Sequence, residues 1–354
     1  MSLRHYLRIL GPGHKGTHNL SVEDADRAFS AILSGQESEI QVGAFLVLVR
    51  TKGLTVEELT GFARAARRMA TIPCQGMENL VALCPPHDGV DHLPPLDVAA
   101  GLVAAGAGAR VLLLSDRCVP PKRGLTAASV LDALGVGMTW DAGEVESWVE
   151  KTGFGAVAVT GLLPPLLTLR KVRNDVVIRT PLSTVEKLLA PSSAAVVVGT
   201  HQGAVLGTAI EVMSSLGHPR GIALQGPEGG IVPSVTRRTR GIEISERHVV
   251  PLTIEPQDFG MLSSEEPDLP TFGPPPEGKG TGDDPQLVEA CGRATLAVLS
   301  GVPSSARDAT LLSAALALKA AGRAHTLAEG VDLAARSLDS GAASAVLERL
   351  RALA

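Results

Sequence analysis

Aromatic residues are nearly missing from this 354-residue chain: they fill 3% of positions, with one Tyr, two Trp and six Phe. A core so poor in rings rests on Leu, Val, Ile and Ala, and such a surface offers few platforms on which single-stranded bases stack. Cysteine is scarce as well. Cys74, Cys84, Cys118 and Cys291 show no CxxC spacing, which argues against a zinc site or a disulfide framework and reads as reduced thiols of a cytoplasmic protein. Long apolar runs are lacking too. Leu96 to Ala109 is interrupted by Asp and Gly, and Met1 to Arg8 has no apolar stretch of the signal-peptide kind, so no membrane partner is expected. A net charge of −5 does not point to nucleic acid, although basic patches survive such averaging.

What is present supports a large buried core, with 45% hydrophobic and 19% charged residues. The first seventy or so positions carry helical periodicity. Ser21 and Asp24 resemble a capping box before Ala25, Ala28, Phe29 and Ile32; a second helix holds Gly43, Phe45, Leu46 and Val49; Thr55 opens a third, with Glu57 and Glu58 in its first turn. After Cys74 short β-branched or leucine runs recur at Leu80 to Leu83, Arg110 to Leu114, Ala156 to Val159, Ala194 to Val198 and Ile222 to Leu224. Helical stretches separate most of them, which predicts an α/β protein with a mostly parallel central sheet flanked by helices. Thr236 to Thr253 reads as antiparallel, and the Pro-, Gly- and acid-rich stretch Gly260 to Asp284 as a surface loop. The expected division is a small all-helical domain at 1–74 and a large α/β domain at 75–354. The two helices at Asp24 to Ile32 and Val42 to Val49 carry more apolar surface than so small a domain buries, which predicts a two-fold homodimer.

Four segments carry a family resemblance, in order along the chain: Phe45 to Glu58, Arg117 to Val136, Arg173 to Pro191, and Pro256 to Gly260. They resemble the anthranilate phosphoribosyltransferase family of glycosyl transferases, whose fold is shared with class II nucleoside phosphorylases. The resemblance implies a helical domain, a large α/β domain, and substrates held at a hinge, which falls at 163–192 here. It also implies that a Gly-Thr-Gly-Gly-Asp loop after the first strand should cradle phosphoribosyl pyrophosphate. Here that loop is Cys84-Pro85-Pro86-His87-Asp88-Gly89. Two prolines remove two donors, and only Asp88 and Gly89 remain of the motif. In the second phosphate loop Arg117, Lys122 and Gly124 match the family, while Cys118, Pro120 and Pro121 replace its hydroxyl residues. Arg117, Lys122 and Arg123 are read either as anion contacts or as a solvated basic turn. The family's Mg²⁺-binding Asp-Glu pair has no counterpart; Glu228 stands nearby and reads as a turn residue, so no cofactor, Mg²⁺ included, is expected.

By the same resemblance Arg173 matches a substrate arginine, Leu163 replaces a histidine, and Glu186-Lys187 replaces a pocket-lining Gly-Pro pair. His201 after a strand is either a ligand contact or structural. A branch of the family with similarly rewritten loops and a lysine at the place of Lys187 lacks anthranilate transfer and binds nucleic acid. Two functions follow as expectations. One is a protein without anthranilate transfer that binds an anion, nucleic acid or a phosphorylated sugar, in a cleft lined by cations such as Arg170, Lys171, Arg237, Arg238 and Arg240. The other is an active glycosyl- or phosphoribosyltransferase with a changed donor or acceptor.

Overall fold

The computed structural model describes all residues except 1, 12–15, 17, 247, 271, 272 and 354. Four helices come first: α1 (Leu3–Leu10), α2 (Val22–Leu33), α3 (Glu39–Lys52) and α4 (Val56–Met69). Their ends follow from local chemistry. Ser21 Oγ accepts the Asp24 N–H at 3.1 Å to open α2, and Thr55 with Glu58 forms the reciprocal capping box that opens α4. Glu58 is fully buried. Its carboxylate also takes the Leu20 N–H at 2.9 Å and the Lys52 ammonium at 2.8 Å, tying the chain before α2 to the end of α3. A buried charge persists only when it is paired and hydrogen-bonded in this way. Helix α1 was not separately legible in the sequence.

The sheet and its helices then alternate: β1 (Leu80–Cys84), α5 (Asp97–Gly106), β2 (Arg110–Ser115), α6 (Ala127–Ala133), α7 (Ala142–Thr152), β3 (Phe154–Ala158), α8 (Val159–Leu162), α9 (Pro165–Val176), α10 (Leu182–Val185), β4 (Ala195–Gly199), α11 (Leu206–Ser215) and β5 (Arg220–Leu224). The hairpin β6 (Thr239–Ser245) and β7 (His248–Ile254) follows, and α12 (Pro285–Leu299), α13 (Ser305–Ala320), α14 (Leu327–Asp339) and α15 (Ala342–Arg351) end the chain. The strand order is β3-β2-β1-β4-β5-β6-β7. Strands β1 to β5 are parallel, and β6 and β7 are antiparallel. The expected architecture is therefore found, with Val159 opening α8 instead of extending β3. The described part of 260–284 is irregular apart from the single turn Thr281–Asp283. Among the described residues no helix is long and apolar enough to cross a membrane.

Because strands β1 to β5 are buried on both faces, alternate side chains feed two cores. Val81 and Leu83 join the cluster formed with α5 and α12 to α15. Leu80, Ala82 and Cys84 join a second cluster that runs without a break into Phe29, Phe45 and Phe62 of the helical unit. The helical unit thus shares its core with one face of the sheet. This corrects the surface argument for a dimer. Val42, Phe45, Leu46 and Val49 are all buried within the monomer, and Gly43 lies against Val172 and Val176 of α9.

The strand order positions the site. From β1 the chain winds outward through β2 to β3, then crosses back to lay β4 on the other side of β1. The crevice beyond the carboxyl ends of β1 and β4 is the topological switch point, where ligands of open α/β sheets bind.

Candidate functional site

A pocket of about 450 Å³ opens at that crevice, a volume suited to a small molecule. The loop after β1 contributes Pro86 and Asp88, and the turn after β4 contributes Gly199 to Gln202. Residues 179–188 supply Arg179, Thr180, Ser183, Thr184 and Lys187, while the helical unit closes the pocket with Arg50, Leu54 and Leu59. Val198, Val205, Ala209 and Val212 make the opposite wall apolar.

Charge within the pocket is arranged in a chain. The buried Asp88 carboxylate accepts from Arg179 Nε, and Arg179 donates through its terminal nitrogen to His201 Nε2. An Nε2 that accepts belongs to a neutral ring. Burial and the adjacent Arg179 pull the His201 pKa down to about 4. Lys187 donates to Gly199 O at 2.8 Å and has no carboxylate within ion-pair distance among the described residues; burial draws its pKa down to about 8, against the attraction of Asp88. Arg50 is exposed and likewise without an ion pair among the described residues. Lys187 and Arg50 are therefore the cations left for a ligand.

Most of the other cations read from the sequence, Arg237 and Arg240 excepted, are engaged elsewhere. Arg117 pairs with Asp132, Arg123 with Asp283 at 2.7 Å, and Arg170 with Asp116 at 2.6 Å. Lys171 pairs with Glu39 and Asp175, and Arg238 with Glu255. Arg173 is 2% exposed. It bonds the buried Glu186 and donates to Pro120 O at 2.9 Å, so the arginine expected to meet substrate is held by groups of the chain itself. Burial raises the Glu186 pKa against the pull of Arg173. Arg117, Arg123 and Arg173 are thus each ion-paired with an acid of this chain. Asp88 serves as the anchor of Arg179.

Gly89 and Gly124 are used for loop-on-loop packing. Gly89 has φ +83°, and a Cβ there would lie 2.4 Å from Gly124 C. Gly124 N–H donates to Asp88 O at 2.8 Å, and Val90 and Leu125 exchange both backbone bonds at 2.8 Å. The two loops expected to cradle phosphates are zipped to each other.

Lys122 is held too, at 3.0 Å from Glu228 and 3.3 Å from Asp91. Glu228 is the turn residue it was read to be, at φ 51°, and it also straps a loop. It accepts the Asp91, His92 and Leu93 N–H groups at 2.8, 2.9 and 3.2 Å. Burial would raise its pKa, but these donors and Lys122 outweigh that and hold it low. Both its oxygens are occupied, and no group of three or more metal-ligating side chains occurs among the described residues. This donor set does not fit the Mg²⁺ that the resemblance implies.

A separate small cavity of about 40 Å³ also touches the β1 loop at Pro86 and is bordered by Pro94, Pro95, Pro227, Pro233 and Pro267. Asp97, which opens α5, also borders it; burial pushes its pKa up to about 7, and its Oδ1 has no partner. A pyrophosphate finds no room in a cavity of that size. The imidazole of His87 is buried with neither side-chain nitrogen hydrogen-bonded, and burial together with Lys187 and Arg173 holds it uncharged, its pKa drawn to about 3.

Arg50 was missed as a site residue, although it sits inside the first resemblance segment. Arg179 lies inside the third resemblance segment without a motif of its own. Nothing local in the sequence shows that the helical unit contributes Arg50, because the contact is made across the fold.

Known proteins fit this architecture over nearly its whole length. The helical bundle domain of the glycosyl transferase family matches residues 4–70, and its a/b domain matches residues 96–344. An anthranilate phosphoribosyltransferase of Symbiobacterium thermophilum is 32% identical over 334 residues, 94% of this chain and 93% of that protein. The anthranilate phosphoribosyltransferase structure from Thermus thermophilus superposes with a TM-score of 0.81 at 27% identity, covering 100% of this chain and 99% of that one. The Saccharomyces cerevisiae protein of that name, in complex with 4-fluoroanthranilate, shares the fold with a TM-score of 0.80 at 17% identity, over 99% and 97% of the two chains. With both domains matched and a relative this similar end to end, the chain belongs to the anthranilate phosphoribosyltransferase family of glycosyl transferases.

Proposed function

We propose that this protein binds a small anionic ligand of the sugar-phosphate class in the switch-point pocket and does not carry out Mg²⁺-dependent transfer to anthranilate. One contrast carries the reading. The small cavity at Pro86 holds about 40 Å³ among prolines and a buried acid, while the switch-point pocket holds about 450 Å³ with Lys187 and Arg50 unneutralised. A ligand anion there meets an ammonium in a partly desolvated site, where charge-assisted hydrogen bonds are strong. Threonine and serine hydroxyls on 180–184 suit sugar hydroxyls.

A nucleic-acid partner is less well supported. Of the cations that such a groove requires, Arg117, Lys122, Arg123, Arg170, Lys171, Arg173 and Arg238 are ion-paired, which leaves Lys187, Arg237 and Arg240. The second reading is pentosyl transfer with a changed donor or acceptor, and the end-to-end similarity to anthranilate phosphoribosyltransferases favours it. A two-fold dimer belongs to the proposal as well. Ile40, Leu167, Val177 and Ile178 are exposed on α3, on α9 and just after it, and are the apolar side chains such a contact would cover.

Calorimetric titration with ribulose 5-phosphate should show binding that is unaffected by Mg²⁺ and weakened in Lys187→Met. Anthranilate fluorescence should stay constant in the presence of phosphoribosyl pyrophosphate and Mg²⁺. Consumption of anthranilate establishes the second reading instead.

A further inference from the structure

Next to the main pocket lies a second, more polar cleft of about 580 Å³. Its walls are the Gln225 to Gly229 turn, Arg237, Arg238 and Arg240 near the start of β6, and Glu255. His201 lines both cavities, and its carbonyl accepts from Gln225 Nε2 at 3.3 Å. The turn after β4 is therefore a thin partition between them.

Charge in this cleft does not cancel. It holds three guanidinium groups and two carboxylates, Glu228 and Glu255. Glu228 already answers Lys122 and three backbone N–H groups, and Glu255 answers Arg238. Arg237 and Arg240 are exposed, and no acid lies within ion-pair distance of either among the described residues. Two guanidinium groups on one short segment repel each other unless an anion sits between them. Their planar forks suit phosphate oxygens better than an ammonium does.

We infer that the Arg237–Arg240 cleft is a second anion subsite, taking a phosphate-monoester group of a ligand whose other end occupies the main pocket. The inference rests on the pocket reading above and specifies its ligand as two-headed. One anionic group faces Lys187 and Arg50, the other faces Arg237 and Arg240, and the body passes His201. Because that ring is held neutral by burial and Arg179, it adds no charge to the passage.

The test compares ribulose 5-phosphate with ribulose 1,5-bisphosphate by calorimetry at near-physiological salt, without Mg²⁺. In the unaltered protein the bisphosphate should bind at least about tenfold tighter, the gain of a second charged contact pair of roughly 1.4 kcal/mol. The double variant Arg237→Ala/Arg240→Ala should lose that gain and hold ribulose 5-phosphate within about twofold of the original. Arg238→Ala should change the ratio less, since its guanidinium is engaged by Glu255. Equal affinity for the two probes, with the monophosphate still dependent on Lys187, overturns the second subsite and leaves the pocket reading standing. Failure of ribulose 5-phosphate to bind at all overturns both. A single-stranded oligonucleotide that binds tighter than the bisphosphate, and weakens in the same double variant, overturns the two-headed small ligand in favour of a polymer.

Discussion

Lys187→Met should make the unliganded protein more stable at neutral pH, by an amount that vanishes in alkali. Burial pulls the Lys187 pKa from 10.5 down to about 8. Below pH 8 the ammonium is protonated in folded and unfolded chains alike, so the folded state carries the full burden of burying it. Between about 8 and 10.5 the folded chain has lost the proton and the unfolded chain retains it. Unfolding then takes up a proton, and stability rises with pH. A fall of this size corresponds to about 3 kcal/mol at about 1.4 kcal/mol per unit. The lost hydrogen bond to Gly199 O returns about 1 kcal/mol, leaving a net gain of about 2 kcal/mol. At about 2.1 cal/mol/K of unfolding entropy per residue, a chain of this length loses roughly 0.7 kcal/mol per kelvin near its midpoint, so the gain amounts to about 3 °C in Tm. Scanning calorimetry from pH 6.5 to 10 reads it directly. A variant that melts lower than the parent at pH 6.5, or a difference that does not shrink toward pH 10, refutes the account of Lys187 as a buried, unneutralised cation held ready for a ligand.

Three further outcomes follow from the same geometry. Arg173→Met should cost about 3–5 kcal/mol by stranding the Glu186 carboxylate, and Arg173→Met/Glu186→Met should recover most of it; denaturant titration of the pair tests this, and a mild single variant sinks it. Glu228→Ala should speed hydrogen exchange at the Asp91, His92 and Leu93 amides at least tenfold, because all three donate to that one carboxylate; unchanged exchange means the strap is held by other contacts. Gly61→Ala, which in an ordinary helix gains up to about 1 kcal/mol, should instead cost about 1–3 kcal/mol, because its Cβ would lie 2.4 Å from Val22 O; a raised melting temperature contradicts that close approach of α2 and α4.

Much of the fold could be read along the chain because its signals are local. Ser21 and Thr55 cap helices using N–H groups three residues away, and the β-branched runs mark strands whatever their neighbours are. The site was legible only in part, because its charges are settled over long separations. Arg123 reads as a free cation beside Lys122, yet its partner Asp283 lies 160 residues on. Lys122 finds Glu228 after 106 residues. Arg173 and Glu186 are 13 residues apart, close enough to be seen, but comparison with the family made Arg173 look like a retained substrate contact and Glu186 like a separate change to the pocket. They are better understood together, as a buried acid and the arginine that neutralises it. Gly89 and Gly124 show the same difficulty. The resemblance implies phosphate-loop positions for both, and only the packing of the two loops shows that each faces the other.

The core that the helical unit shares with the sheet also bears on how the chain is made. Helices α1 to α4 leave the ribosome with their apolar faces uncovered, and the last residue of the cluster that covers them is Ile244. At roughly 5–20 residues per second, synthesis of the intervening segment takes on the order of 10 to 35 s. For that interval Phe29, Phe45 and Phe62 can pack on one another, but α3 lacks α9, and α4 lacks α10 and α11, the later helices that pack on them. The nascent N-terminal segment is thus a natural client for a chaperone that shields apolar helices, and the same dependence makes 1–74 a poor fragment to express alone.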